Sequence, residues 1–284
     1  MSRQSDSLMA LRAVIQEQLK LLNITLYVMS EGPVLQEGQW LTCVLETDQV
    51  RAASAVAMGA GQSLNTIINN VNERGLAVRD LFPIARGVVE GFVNAAFFMT
   101  QPVEVATRAL DHRLYAAWKH HHRVIGSGDF MFTLGAISDP KATAAKLFPA
   151  FSGQGKGSWT SLDTPAKINR IGKVVRASGG ALLGAYAGIY AASSEIIHGS
   201  VYGMSYFMGM HARGPQSVDD FQHGTGEHMV DILSAVSHGI SGYLAAFANI
   251  HRFGPLVLEE HELFKRMFRA ATGDEWVGGD PSVV

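Results

Sequence analysis

One cysteine, Cys43, in 284 residues leaves the chain no intramolecular disulfide and no Cys-rich zinc knuckle. That usage suits a reducing compartment, so the cytoplasm is expected. Charge is also sparse. Charged residues make up 17% and the formal net charge is -2, so the overall balance does not call for a polyanionic partner and leaves only a local patch to bind one. Residues 1–11 lack the basic region, apolar run and cleavage site of a signal peptide, and secretion is not expected. Long hydrophobic runs are nearly absent. The strongest, residues 181–197, carries Tyr186, Tyr190, Ser193, Ser194 and Glu195 and falls short of the usual span. It reads as a buried core helix, with no membrane association expected. Alternating β-branched runs bounded by hairpin dipeptides are scarce despite 30 glycines.

What the chain does have is helical periodicity along its whole length and 47% hydrophobic residues, enough for a sizeable core. The predicted fold class is all-α. A helical bundle forms a single domain over residues 1–271, interrupted by an irregular Gly/Pro-rich insertion at 130–164, and residues 272–284 form a disordered tail. The first helix is expected over residues 7–30, where Leu8, Leu11, Val14, Ile15, Leu19, Leu22 and Leu26 mark one buried face. A second helical region is expected over 36–72, with a kink or close packing at Gly59-Ala60-Gly61 and a stop at Arg74-Gly75. The third starts at Asp80 as cap, has Pro83 in its first turn and runs to about residue 100. Further helices are expected over 103–123, from the capping site Asp163-Thr164-Pro165, over 180–210 and over 227–271.

The third helix is apolar on nearly every side, yet Arg86, Glu90 and Asn94 stand on it at spacing i, i+4, i+8. A buried arginine must be paired or bind an anion. The plainer reading is an Arg86–Glu90 ion pair that fixes helix register. A second line at four-residue spacing, Tyr186, Tyr190, Ser194, His198 and Tyr202, lies on the 180–210 helix among small residues such as Gly184, Ala187 and Gly188. Packed against the third helix, it would bring His198 into the same site as Arg86. The plainer alternative is a core histidine hydrogen-bonded to a neighbour.

The stretch Leu81-Phe-Pro-Ile-Ala-Arg86-Gly-Val-Val-Glu90-Gly-Phe-Val-Asn94 and the later Tyr190-Ala-Ala-Ser-Ser194-Glu-Ile-Ile-His198-Gly resemble the paired signatures of a bacterial helical family of unknown function. Those signatures are an R-x-x-x-E helix and a Y-x-x-x-S-x-x-x-H helix, and the likeness covers residues 75–199. That family is similar to the HEPN superfamily of helical bundles. The resemblance implies a cofactor-free, metal-independent ribonuclease or nucleic-acid-directed effector of bacterial defence, acting on RNA as a homo-oligomeric dimer. The superfamily's own R-x-x-x-x-H signature is missing here, since Ser193 stands five residues before His198. Cleavage would then need His198 to take the proton of an RNA 2′-hydroxyl while Arg86, from the neighbouring helix, stabilises charge on the phosphoryl group. Glu90 would orient Arg86, and Ser194 or Tyr190 would hydrogen-bond the substrate, as would Asn94. Lys167, Arg170, Lys173 and Arg176 fall at three-residue spacing and suit phosphate contacts, although such a row is more often a solvated face.

Two other chemistries have weaker patterns. Glu195-Ile-Ile-His198 has the Glu-x-x-His spacing of carboxylate-bridged di-iron bundles, but no second copy exists. His228, Asp231 and His238 would share one helical face with ligand-type side chains. The loop Gly153-Gln-Gly-Lys156-Gly-Ser158 lacks the spacing and preceding strand of a phosphate-binding loop. His120-His121-His122 sit at a helix end, where consecutive side chains diverge and a three-ligand site is disfavoured. No metal site is assigned. The competing functional readings are a non-catalytic helical interaction or scaffold protein and a metal-dependent bundle enzyme.

Overall fold

The computed structural model describes residues 3–71, 77–137, 139–152, 157–207 and 217–278. Among these the chain is all-α, with ten helices and two short hairpins. In order they are α1 (Arg3–Ser30), the pair β1 (Val34–Gln36) and β2 (Gln39–Leu41), α2 (Thr47–Asn70), α3 (Val78–Thr100) and α4 (Val103–His121). Then come β3 (Arg123–Ser127) and β4 (Phe130–Leu134), α5 (Pro140–Leu147), α6 (Thr164–Val174), α7 (Arg176–Ile197), α8 (Val201–Phe207), α9 (Val218–Ile250) and α10 (Gly254–Thr272).

The bundle is organised around α9. From Met229 to Ala248 it is buried at almost every position, with α7, α3, α1 and α10 packed around it. Phe92 of α3 meets Tyr243 of α9 at a ring separation of 5.6 Å. Small residues set how closely α7 approaches. A side chain at Gly242 would lie 2.5 Å from Leu182 Cγ, and the Ser178 hydroxyl donates to the Gly242 carbonyl at 2.6 Å. The α1 contact with α9 carries a buried polar pin. Gln18, fully buried, donates from Nε2 to Ser241 Oγ at 2.9 Å and accepts from Ser237 Oγ at 2.9 Å. Thr25 and the Tyr243 hydroxyl add a bond of 2.9 Å. Each group is satisfied, which is what makes a polar core tolerable.

Several sequence expectations need correction. Residues 36–46 are not helical: Glu37 and Gly38 both take positive φ and close the β1–β2 hairpin, a turn whose twist matches the strands. Of Gly59 and Gly61 only the second serves close packing, since a side chain there would meet Leu22 Cδ2 at 2.8 Å while Gly59 faces open space, and α2 runs through both unbroken. The stop expected at Arg74-Gly75 lies outside the described residues. Helix α3 begins with Ala77 as N-cap, so Asp80 sits in its first turn and Pro83 inside the helix. The expected helix over 103–123 ends at His121, because Arg123 pairs across to Leu134 in the second hairpin. That hairpin and α5 also give the 130–164 insertion more regular structure than its composition suggests. Asp163 does cap α6, accepting from Ala166 N at 2.9 Å.

The two long C-terminal helices are each broken once, by the same device. At α7, His198 is the C-cap, Gly199 is left-handed at φ 63, and Ser200 N returns to Glu195 O at 3.1 Å. At α9, His251 caps, Arg252 is left-handed at φ 50, and Phe253 N returns to Ala248 O at 2.9 Å. Both are Schellman closures. Of the expected tail, Trp276 reaches back to α10 and stands edge-on to Phe264 and Phe268, at 5.2 Å from each, while its neighbours are exposed. Among the described residues α3 and α9 are long and apolar enough to cross a membrane, and both are mostly buried within the bundle.

Candidate functional site

The four-residue spacing of Arg86, Glu90 and Asn94 does place them along one edge of α3, which faces α7 at one end and α6 at the other. Arg86 Nε donates to Glu90 Oε1 at 3.0 Å, and the guanidinium carbon stands 4.4 Å from the centre of the Tyr190 ring. Tyr190 in turn stacks on Tyr186 at 4.5 Å. Burial, the neighbouring Tyr190 and a hydrogen bond to it push the Tyr186 hydroxyl up to about 12. One helical turn beyond Glu90, Asn94 Oδ1 accepts from Lys167 Nζ at 2.9 Å. That ammonium also lies 4.5 Å from the centre of the Trp159 ring. Burial lowers the Lys167 pKa from its ordinary value, opposed by the carboxylates of Glu90 and Asp163.

Two cations thus flank one carboxylate, each against an aromatic face. The stripe is half-buried rather than sealed, since the Arg86 and Glu90 side chains keep 21% and 37% of their exposure. Among the described residues the two terminal nitrogens of Arg86 make no hydrogen bond. Held by Nε and by the tyrosine face, the guanidinium has a forked pair of donors of the kind that matches a carboxylate or phosphate. Ordering the fork beforehand reduces the entropy lost on binding.

The expected partner is not there. His198 is exposed at the C-cap of α7, eight residues past Tyr190, or about 12 Å along the helix axis at 1.5 Å per residue. Its imidazole makes no contact with Arg86. His198 keeps helical φ and ψ, so it remains on the α7 line one turn past Ser194, at the solvent end of the helix, and Gly199 turns the chain away only after it. Ser194, between Tyr190 and His198, is half-buried, and its carbonyl accepts from His198 N at 3.1 Å. Tyr202 lies beyond the break, in α8. The basic row also divides, because Lys167 turns inward to Asn94 while Arg170, Lys173 and Arg176 stay exposed. A three-residue step rotates by 300° on a helix, so Lys167, Arg170 and Lys173 spiral around α6, and Arg176 opens α7.

The metal-type patterns do not assemble either. His228 and Asp231 approach to 3.6 Å, with the His228 ring against Phe82 and Tyr206. His238 is engaged elsewhere, its Nδ1 on Ser234 O at 2.8 Å. Glu195 accepts from the Ser200 hydroxyl, which caps α8 through Gly203 N. Among the described residues no three His, Cys, Asp or Glu side chains gather as a ligand set. Of the phosphate-loop candidate, residues 153–158, the first four lie outside the described residues.

Trp159 and Tyr186 belong to the site without having been singled out for it. Tyr186 was visible as part of a periodic line. Trp159 had no local signal, because a loop residue's neighbours are set by where the loop crosses the bundle. No family model matches the chain, no curated protein matches it, and no solved structure matches it, so the reading of this site rests on its own residues.

Proposed function

We propose that the chain is a nucleic-acid-directed helical protein that grips an RNA phosphate at Arg86 and Lys167. The observation that carries this is the guanidinium of Arg86, fixed by Glu90 and Tyr190 with its forked donors unspent. Single-stranded nucleic acid is bound by cationic tracks interleaved with aromatic side chains, and here Tyr190 and Trp159 hold the two cations in place. Exposed Arg170 and Lys173 on α6 extend the track. Asn94 and Glu90 set the positions of Lys167 and Arg86. His198 stands at the outer end of the same α7 line as Tyr190 and Ser194, so it would meet a different phosphodiester from the one Arg86 holds. In the HEPN-like reading its imidazole takes the 2′-hydroxyl proton there as the 2′-oxygen bonds to phosphorus and the 5′-oxygen leaves with a proton from water, without help from Arg86.

Fluorescence anisotropy with a labelled single-stranded RNA at two salt concentrations tests binding. Arg86→Ala and Lys167→Met are expected to weaken it at least tenfold, while exposed Arg79→Ala leaves it unchanged. Equal binding by all three variants rejects the site. Incubation of RNA with chelator, comparing the parent chain with His198→Ala, tests cleavage separately.

A second reading, self-association, is favoured by the β3–β4 hairpin. Its Phe130, Met131 and Phe132 are 87%, 61% and 63% exposed, and Val124 and Ile125 are exposed beside them. A lone two-stranded hairpin is marginal in water, and an apolar face of this kind fits a contact between copies. Light scattering on the parent chain and a Phe130→Ser, Phe132→Ser variant is expected to show a dimer that the variant loses. A monomeric parent chain removes this reading.

A further inference from the structure

Helices α7 and α10 each pack against α9 and almost not against each other, which leaves a trench between them. It forms a cavity of about 1140 Å³ on the far side of α7 from Arg86 and Tyr190. Its α7 wall has little side chain, with Gly180, Ala181 and Gly184 presenting backbone. The α10 wall is aromatic, and Phe264 and Phe268 are joined there by Trp276 from the returning C-terminal stretch.

The polar side chains on its inner walls are Glu260, His238, Asn249 and His261, and Glu260 and His238 both carry acceptor atoms. Glu260 is only 9% exposed. Its carboxylate accepts from the Ser241 hydroxyl, no cation is paired with it among the described residues, and burial pushes it up to about 7. Its partner Ser241 belongs to the Gln18 pin, so the carboxylate is positioned from the core. The second acceptor is His238. Its Nδ1 faces the Ser234 carbonyl at 2.8 Å and must carry the ring proton. Burial lowers its pKa and keeps the ring neutral, so Nε2 presents a lone pair. Among the described residues that nitrogen makes no hydrogen bond. It faces the α7 wall where Gly184 has no side chain, and a Cβ there would stand 3.3 Å from His238 Cδ2.

A carboxyl kept in an apolar wall without a cation costs stability, and such groups gather at ligand sites. Arg252, at the rim, adds a second cost. It holds the left-handed position that glycine would fill with less strain, and strain of this kind is concentrated at functional sites. Arg176 and Arg252 stand in solvent at the rim, where water and salt screen them.

We propose that the α7–α9–α10 cavity binds a small aromatic amine, whose ammonium donates to Glu260 and His238 Nε2 and whose ring lies among Phe264, Phe268 and Trp276. Acceptors inside and aromatic faces around them suit a cation, and a few fixed polar groups in a largely apolar cavity are the usual composition of small-molecule sites.

Calorimetric titration of the full chain with phenethylamine, 2-phenylethanol and 3-phenylpropionate tests this. The amine is expected to bind at least tenfold more tightly than the alcohol or the acid. Glu260→Gln should erase that preference. Gly180→Leu, which places a side chain in the trench from a position where a Cβ meets nothing within 4 Å, should abolish binding of all three while the circular dichroism and melting temperature are kept. No binding of the amine at millimolar concentration overturns the proposal. So does equal affinity for amine and alcohol, or binding that survives Gly180→Leu.

Discussion

Arg86 and Glu90 are joined at 3.0 Å on the face of α3, with the guanidinium lying over the Tyr190 ring of α7. Because Glu90 keeps 37% of its side-chain exposure, solvent screens the pair. A double-mutant cycle of Arg86→Ala and Glu90→Ala is expected to give a coupling of about 0.5–1 kcal/mol in urea denaturation. A coupling above about 3 kcal/mol, the range of a sealed pair, contradicts the half-open site and its spare donors.

Glu260 makes stability depend on pH in the direction opposite to most carboxylates. Its folded pKa of about 7 lies above the ordinary 4.5, so folding favours the neutral acid. The stabilisation of that form is fully present below about pH 4.5 and is lost as pH rises through 7. The gap corresponds to on the order of 3 kcal/mol. Glu260→Gln should therefore be markedly more stable than the parent chain at pH 8 and nearly equal to it at pH 5. A variant with the same relative stability at both pH values shows that the carboxyl is not held neutral.

Gly242 is where α9 admits α7. An added methyl would be 2.5 Å from Leu182 Cγ and 3.1 Å from Ser178 O, and the neighbouring backbone cannot yield. Gly242→Ala is expected to lower stability by about 1–3 kcal/mol, the usual cost of overpacking. The added Leu182→Ala change should recover part of that loss. Strict additivity of the two changes argues against the contact.

Gln18 satisfies two buried hydroxyls at once. Gln18→Leu should cost about 2–4 kcal/mol, because each orphaned polar group costs about 1–3 kcal/mol. Adding Ser237→Ala should restore some stability by removing one orphan. A neutral Gln18→Leu variant means that Ser237 and Ser241 find other partners.

Much of the helical layout was readable from local pattern. Leu8, Leu11, Ile15 and Leu22 are buried in α1, Asp163 caps α6, and the apolar α3 lies in the core. The missed breaks had signals that were outweighed by the apolar runs around them. Gly199 directly follows His198, and Gly254-Pro255 follows Phe253. A glycine at the left-handed position and a proline in a first turn are both punctuation marks. Arg252 carried no such mark, because arginine rarely takes positive φ and only the closure around it holds it there. The β1–β2 hairpin was hidden for the same reason, with Glu37 in a turn position that favours asparagine or glycine.

The sequence alone determined that Arg86, Glu90 and Asn94 share a helix edge, because 3.6 residues per turn fixes that whatever surrounds the helix. It equally determined that Tyr186, Tyr190 and Ser194 share another. Which edges meet was decided by tertiary packing. Glycines at 179 and 242 set how α7 seats against α6 and α9, and that seating puts Tyr190 over Arg86. The closure at Gly199 carries Tyr202 off the line on which an unbroken helix would have kept it and leaves His198 at the exposed end of α7. Glu260, 242 residues away from Gln18 in the chain, acquires its environment through Ser241. Spacing along one helix is a local property of the backbone, whereas desolvation and partnership depend on contacts between segments far apart in sequence.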